Sequence, residues 1–220
     1  MIGCLFEQSG TFKNTFKKYG YDAEDIDIQN TFNETNIQCD LFYMIDSKSI
    51  VDLLEKYDFC MCFFPCTWFS DFNNMIIAGT QYQMQTMDEQ KKQNIIAERK
   101  KNQSAAERYL KLLVSAAERT NTPMIIENPL SVKIQEIMNG YDYAVHKRSK
   151  YGDYYDKRTI YYFVGDISIT PFMETLKNEK YYKIIHQHKG LSRSLISEMY
   201  VDNLIRNIYI PSEFRYMIEC

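Results

Sequence analysis

The chain lacks three things that would narrow its class early. It has no apolar run near the ~20 residues that a bilayer-spanning helix needs. Its N-terminus opens on a strand-like segment, without the charged and apolar regions of a signal peptide. It has no excess of positive charge: 26 Lys and Arg stand against 29 Asp and Glu, a net charge of −3. A soluble, cytoplasmic protein with no membrane partner is the expectation. Nucleic acid exerts no overall electrostatic pull on such a chain, although a local basic patch remains compatible with one. Cys-x-x-Cys pairs are missing too. The 6 cysteines stand at 4, 39, 60, 62, 66 and 220, and without a secretory context they predict no disulfide framework. Cys60 and Cys62 are spaced to share one face of a strand, as core residues do. Histidines number 3, and His186-x-His188 has no carboxylate or cysteine group nearby to complete a metal site. Internal repeats, low-complexity segments and interdomain linkers are absent, so residues 1–220 are expected to form a single domain.

What is present is a hydrophobic content of 45%, much of it aromatic, with 18 Tyr and 13 Phe. Met1 to Phe6 reads as a strand. Phe12 to Tyr19 reads as an amphipathic helix ended by Gly20. Ala23 to Ile28 is a second strand ending near Asp27, and a weak third strand precedes Asp40. Ser47 to Glu55 is read as a helix with Ser47 as its N-cap. Phe59 to Phe64 is a buried strand stopped by Pro65-Cys66. Asp88 to Thr120 is a long helix. Its charged first half is a solvated face, and its apolar face is placed at Tyr109, Leu112, Leu113 and Ala116. Pro123 to Ile126 and Tyr161 to Val164 are strands. Pro171 to Lys180 and Met199 to Ile208 are helices. Strands alternating with helices predict an α/β, Rossmann-like fold, a mostly parallel sheet with helices on both faces.

In that architecture the loops after the strands share one rim, where ligands bind. Glu7 to Gly10, Asp27, Asp40, Pro65-Cys66 and Glu127-Asn128-Pro129 should meet there. The loop at Ser9-Gly10-Thr11 opens a helix whose N–H groups can receive a polar ligand. Asp27 can take ribose hydroxyls or be a solvated turn residue. Cys66 can be an inert thiol or, once partly ionised, a nucleophile. Glu127, in partly apolar surroundings, can be a salt-bridged carboxylate or one whose raised pKa lets it share a proton near neutrality. A thiol and a protonatable carboxyl on one rim suit attack on an electron-poor ring. Tyr141, Tyr143, Arg148, Tyr151, Tyr154, Tyr155, Lys157 and Arg158 interleave aromatic and basic side chains. They can stack on bases and meet phosphate, or form an aromatic core edge with a solvated fringe.

The ordered set Leu5-Phe6-Glu7-Gln8-Ser9-Gly10, Asp27, Asp40, Phe64-Pro65-Cys66-Thr67, Ile126-Glu127-Asn128-Pro129, Lys157-Arg158-Thr159 and Ser192-Arg193-Ser194 resembles the cytosine-5 DNA methyltransferase family, over nearly the whole chain. The likeness is greatest to the short members found in bacteriophage genomes. It implies a methyltransferase with S-adenosylmethionine as cofactor and DNA or a pyrimidine nucleotide as partner, acting in a phage-infected cell. Phe6, Gln8, Ser9, Gly10, Thr11 and Pro65 would then line the cofactor site. Asp27 would take the ribose and Asp40 the adenine, and Ser192 and Ser194 would return to the same site. Cys66 would attack carbon 6 of the pyrimidine, Glu127 would engage ring nitrogen 3, and Arg158 would help hold the base. Thr67, Asn128, Pro129 and Lys157 would border the substrate. A duplex substrate would require the target base to be flipped out.

The chain departs from the family pattern in three places. Gln8 stands at the first glycine position of the first loop, where a side chain is expected to crowd the cofactor's amino-acid end. Thr67 follows the Pro-Cys pair where the family usually has Gln. Residues 165–190 are a vestigial insert where the family carries a target-recognition region. Two other outcomes follow from the same residues: a pyrimidine-modifying enzyme with a different cofactor or none, and a nucleotide-binding protein without turnover.

Overall fold

A computed structural model describes residues 1–171 and 195–209. The strands are β1 (Ile2–Leu5), β2 (Ala23–Asp27), β3 (Ile37–Gln38), β4 (Phe59–Cys62), β5 (Met124–Pro129), β6 (Tyr143–Lys147), β7 (Arg158–Val164), β8 (Ser168–Ile169) and β9 (Ile208–Tyr209). The helices are α1 (Thr11–Lys18), α2 (Leu41–Asp46), α3 (Ile50–Leu54), α4 (Asp71–Ile77), α5 (Tyr82–Gln85), α6 (Glu89–Thr120), α7 (Val132–Ile137) and α8 (Glu198–Arg206). Seven strands form one sheet in the order β3-β2-β1-β4-β5-β7-β6, and β8 pairs with β9 apart from it. Pairing is parallel from β3 through β5 and antiparallel on both sides of β7. This is the Rossmann-like α/β fold expected from the strand–helix alternation.

Side chains alternate across the sheet and divide the core in two. Leu5, Ile26, Cys60, Cys62, Met124 and Ile126 face α2, α3, α6 and α7. Cys4, Phe59, Met61, Ile125 and Tyr161 face Phe12 and Phe16 of α1 and Tyr200, Val201 and Leu204 of α8. Cys60 and Cys62 thus lie on one face, fully buried, as their spacing predicts. Among the described residues no helix is long and apolar enough to cross a membrane.

Several local expectations need correction. The helix placed at Ser47 to Glu55 is the shorter α3, which begins after Ser49 and not after Ser47, and α2 ahead of it was not anticipated. Asp40 caps α2 by accepting from the Phe42 and Tyr43 N–H groups, whereas Ser47 ends that helix. Leu113 and Ala116 are buried as placed, together with Ala106, Leu110, Val114 and Ala117, whereas Leu112 stays 41% exposed. Leu110, Leu113, Val114 and Ala117 are spaced at 3, 4 and 7 residues, the interval at which a helix returns to one face. β6 was not anticipated, because its exposed and buried positions mix tyrosine, histidine and lysine. Apart from Pro171, the helix placed at Pro171 to Lys180 lies outside the described residues. So do His186, His188 and most of the 165–190 insert.

One buried charge sits beneath the first loop. Asp25 of β2 has no exposed surface, and its carboxylate lies 3.7 Å from the Lys13 ammonium. Lys13 in turn pairs with Glu34 at 3.0 Å. Among the described residues neither Asp25 oxygen accepts a hydrogen bond of normal geometry. Burial and the nearby Glu7 push Asp25 up to about 7, against the pull of Lys13. The folded state therefore holds a proton that the unfolded chain has already released. Stability from this group is full below the ordinary aspartate range and falls as pH rises from there to about 7. Asp25→Asn is expected to remove that fall and to be more stable than the parent at pH values above about 7. Urea midpoints of both proteins measured at several pH values check this, and parallel curves would count against it.

Candidate active site

β1, β2, β4 and β5 all run toward one rim, and the segments that follow them enclose a cleft of about 930 Å³. After β1 the backbone turns sharply at Phe6, whose φ of 56° is uncommon for a residue with a side chain. The turn packs the Phe6 ring against Phe42 and Phe64, each at 5.4 Å between centroids. Glu7 follows and accepts hydrogen bonds from the Ser9 N–H at 2.8 Å and from the Ser9 hydroxyl. Gly10, at φ 76°, closes the loop, and a β-carbon there would come within 2.7 Å of the Glu34 carboxylate. Gln8 donates its amide N–H to Gln29 Oε1 at 3.0 Å and accepts from the Thr31 N–H at 3.2 Å. Its polar end is thus held by the loop after β2.

Asp27 ends β2 and accepts from the Gln29 N–H at 2.7 Å. Burial holds both Asp27 and Glu7 above the usual carboxylate range, although hydrogen bonds to each pull the other way. On the opposite side, β4 leads through Phe63-Phe64-Pro65 into a 3₁₀ turn at Cys66–Trp68. Two side chains from elsewhere hold that turn: Asn73 and Gln103 each donate an amide N–H to the Trp68 carbonyl at 2.8 Å. The Arg99 guanidinium lies 5.3 Å from the Trp68 ring centre. Cys66 itself is exposed to the cleft. The protein packed around its thiol and the Glu127 carboxylate raise its pKa, while Lys157 lowers it.

Glu127, on β5, keeps 13% of its side chain exposed, and its carboxylate lies 3.8 Å from Arg148. Burial raises its pKa, and Arg148, Lys157 and a hydrogen bond from Thr159 oppose the rise. Lys157 is pushed down to about 8 by burial and by Arg148. β7 runs opposite to its neighbours, so its first residues, Arg158 and Thr159, reach the same rim as the last residues of β5.

Phe6, Gln8, Ser9, Asp27, Asp40, Pro65, Cys66, Thr67, Glu127, Pro129, Lys157 and Arg158 therefore line one cleft. Gly10, Thr11 and Asn128 do not. Asn128 is fully buried and donates its side-chain amide to the Phe64 carbonyl at 2.9 Å, a structural tie where the sequence suggested substrate contact. Ser192 and Ser194 lie outside the described residues. Arg148 reaches the cleft, whereas the sequence offered it only within an aromatic–basic stretch, read as either base- and phosphate-contacting or a core edge with a solvated fringe. The signal that could have singled it out is Asp153, five residues on and also buried. Among the described residues no group of three His, Cys, Asp or Glu side chains is placed to hold a metal ion.

No protein-family model and no curated protein matches the chain. Solved structures of similar shape include a protein described as a DNA modification methyltransferase encoded within an E. coli prophage. It is 14% identical with a TM-score of 0.45, over 74% of this chain and 45% of its own. The Entamoeba histolytica methyltransferase EhMeth is 14% identical with a TM-score of 0.43, over 84% and 58% respectively. The chain thus spans about half the length of the solved structures it matches.

The electrostatics of the thiol can be checked directly. Glu127→Gln removes the carboxylate that, after burial, raises the Cys66 pKa, and should speed alkylation of Cys66 by iodoacetamide at pH 8 several-fold. Lys157→Met should slow it. Mass spectrometry of the Cys66 peptide gives both rates, and equal rates in all three proteins would overturn the assignment.

Proposed function

We propose that the protein is an S-adenosylmethionine-dependent methyltransferase acting on carbon 5 of a cytosine, in DNA or in a pyrimidine nucleotide. The observation that carries this reading is the pairing of Cys66 and Glu127 on one cleft. The other half of that cleft offers the Asp27 carboxylate, Asp40 and the Phe6–Phe42–Phe64 aromatic wall.

Those residues fit a methyl donor with a nucleoside end. Asp27 presents a carboxylate at a strand terminus, suited to ribose hydroxyls. The aromatic wall suits a purine face. Engagement of the Gln8 amide by Gln29 and Thr31 supports room for the donor's amino-acid end, because the side chain's polar end is held against a neighbouring loop. When bound, the donor supplies an electrophilic methyl group.

The chain's own groups do the remaining work. The Cys66 thiolate adds to carbon 6 of the ring, and the displaced π electrons make carbon 5 nucleophilic. Glu127 stabilises the charge that accumulates at ring nitrogen 3 by sharing its proton, which its desolvated setting favours. With the donor bound, carbon 5 would take the methyl group as the donor's carbon–sulfur bond breaks and its sulfur keeps the electron pair, and carbon 5 would then lose its proton to a base. The electron pair returns to the ring and expels the thiolate, so Cys66 is regenerated. Lys157, close to both Cys66 and Glu127, favours the ionised thiol.

Calorimetry with S-adenosylmethionine is expected to show binding. Radiolabelled methyl transfer to single-stranded DNA, duplex DNA and cytidine nucleotides identifies the substrate. Cys66→Ser should abolish transfer, and Glu127→Gln should slow it by about 10²–10⁴-fold. Absence of methyl-donor binding, or full activity in Cys66→Ser, would rule the reading out.

A further inference from the structure

We propose that Arg148 is the positioning residue for Glu127, and that Asp153 fixes Arg148 and ties both to the start of α8. Arg148 enters from the 3₁₀ turn after β6, and its side chain is only 3% exposed. Its Nε donates to Asp153 Oδ2 at 2.5 Å, and Nη2 pairs with the same carboxylate. The guanidinium also lies 5.5 Å from the centre of the Tyr200 ring. Contacts from the fork and the flat face leave a planar cation one orientation. In that orientation Nη1 faces Glu127 Oε1 at 3.8 Å.

The length of that contact matters. It exceeds hydrogen-bond range, so Arg148 attracts the carboxylate without occupying the oxygen's lone pairs. Glu127 is steered yet remains able to hydrogen-bond a ligand. Asp153 is fully buried, and its second oxygen accepts from the Tyr154 N–H at 2.8 Å and the Ser197 N–H at 3.0 Å. Ser197 caps α8 and donates its hydroxyl to the Gly152 carbonyl at 2.6 Å. An ion pair kept only for stability is often replaceable by apolar side chains. This one is built around a cation that turns a second carboxylate, and Arg158, which the sequence suggested for the base, is exposed at the start of β7.

Other charges face Glu127. Lys157 acts with Arg148, and Asp153 acts against it. Cys62 on β4, Cys66 beyond it and Glu7 after β1 are acidic neighbours. Tyr161 on β7 and Tyr200 on α8 stay protonated at neutral pH, held up by burial. The role in transfer rests on the methyltransferase reading above; the hold on Glu127 does not.

The test is a carbon-13 carboxyl NMR titration of Glu127 in the full chain, with the signal assigned by its loss in Glu127→Gln. Arg148→Gln should raise the midpoint by about 1 pH unit, and Arg148→Lys should restore most of it. Because Arg148→Gln leaves Asp153 buried without its partner and can unfold, Arg148→Gln with Asp153→Asn is the second variant. It removes both charges, keeps an acceptor for Ser197, and should shift the midpoint in the same direction by less. The alkaline limb of the methyl-transfer pH profile should move with the midpoint, because Glu127 acts in its protonated form, while loss of positioning lowers kcat more than it raises KM. An unmoved midpoint in both variants overturns the proposal, whether or not methyl groups are transferred. A moved midpoint in a protein that transfers none upholds the positioning and discards the pyrimidine reading.

Discussion

The cleft depends on how β4 and β5 are fastened past the point where their backbones stop pairing. Register between them ends at Cys62 and Ile126. Two residues farther along each chain, the Asn128 amide donates to the Phe64 carbonyl and continues the ladder with a side chain. Cys66 is two residues beyond that carbonyl, and Glu127 immediately precedes Asn128. The thiol and the carboxyl are therefore set from one hydrogen bond, buried where water does not compete for it. The reversed β7 then closes the same rim from the other side, pairing Glu127 with Tyr161 and Pro129 with Thr159.

Charge on the rim follows from this geometry. Strand ends that converge bring Glu7, Asp27 and Glu127 into one partly desolvated space, and burial raises all three. Arg148 and Lys157 enter from segments flanking β6 and β7, so acidic groups come from the parallel half of the sheet and basic groups from the antiparallel edge. A neutral or cationic ligand head suits the first side, and an electron-rich leaving or reacting centre suits the second.

Much of this was readable in the chain. Phe59 to Phe64 followed by Pro-Cys, and Met124 to Ile126 followed by Glu-Asn-Pro, announce buried strands that stop at polar residues, and parallel order puts their ends together. Asp27 and Asp40 were placed for the same reason. The unread part involves interactions between distant segments. Asn128 looked like a rim residue because its partner, a backbone carbonyl 64 positions earlier, leaves no mark in composition. Arg148 sits among tyrosines and lysines that read equally as a nucleic-acid contact or a core edge with a solvated fringe, and only the fold brings Asp153 and Tyr200 around it. β6 escaped notice because an edge strand need not bury alternate residues. α2 escaped notice because Asp40 was read as a rim residue, whereas its carboxylate also caps that helix.

The turn that carries Cys66 also contains the chain's only tryptophan, Trp68. Its carbonyl is gripped by α4 and α6 through Asn73 and Gln103, and its ring lies beneath Arg99. The indole is a fluorophore whose emission responds to the charge above it and to the wetness around it. With no second indole to dilute the signal, the protein carries a built-in optical reporter two residues from its thiol. Occupancy of the cleft can then be followed by intrinsic fluorescence, without labelling the cysteine whose chemistry is in question.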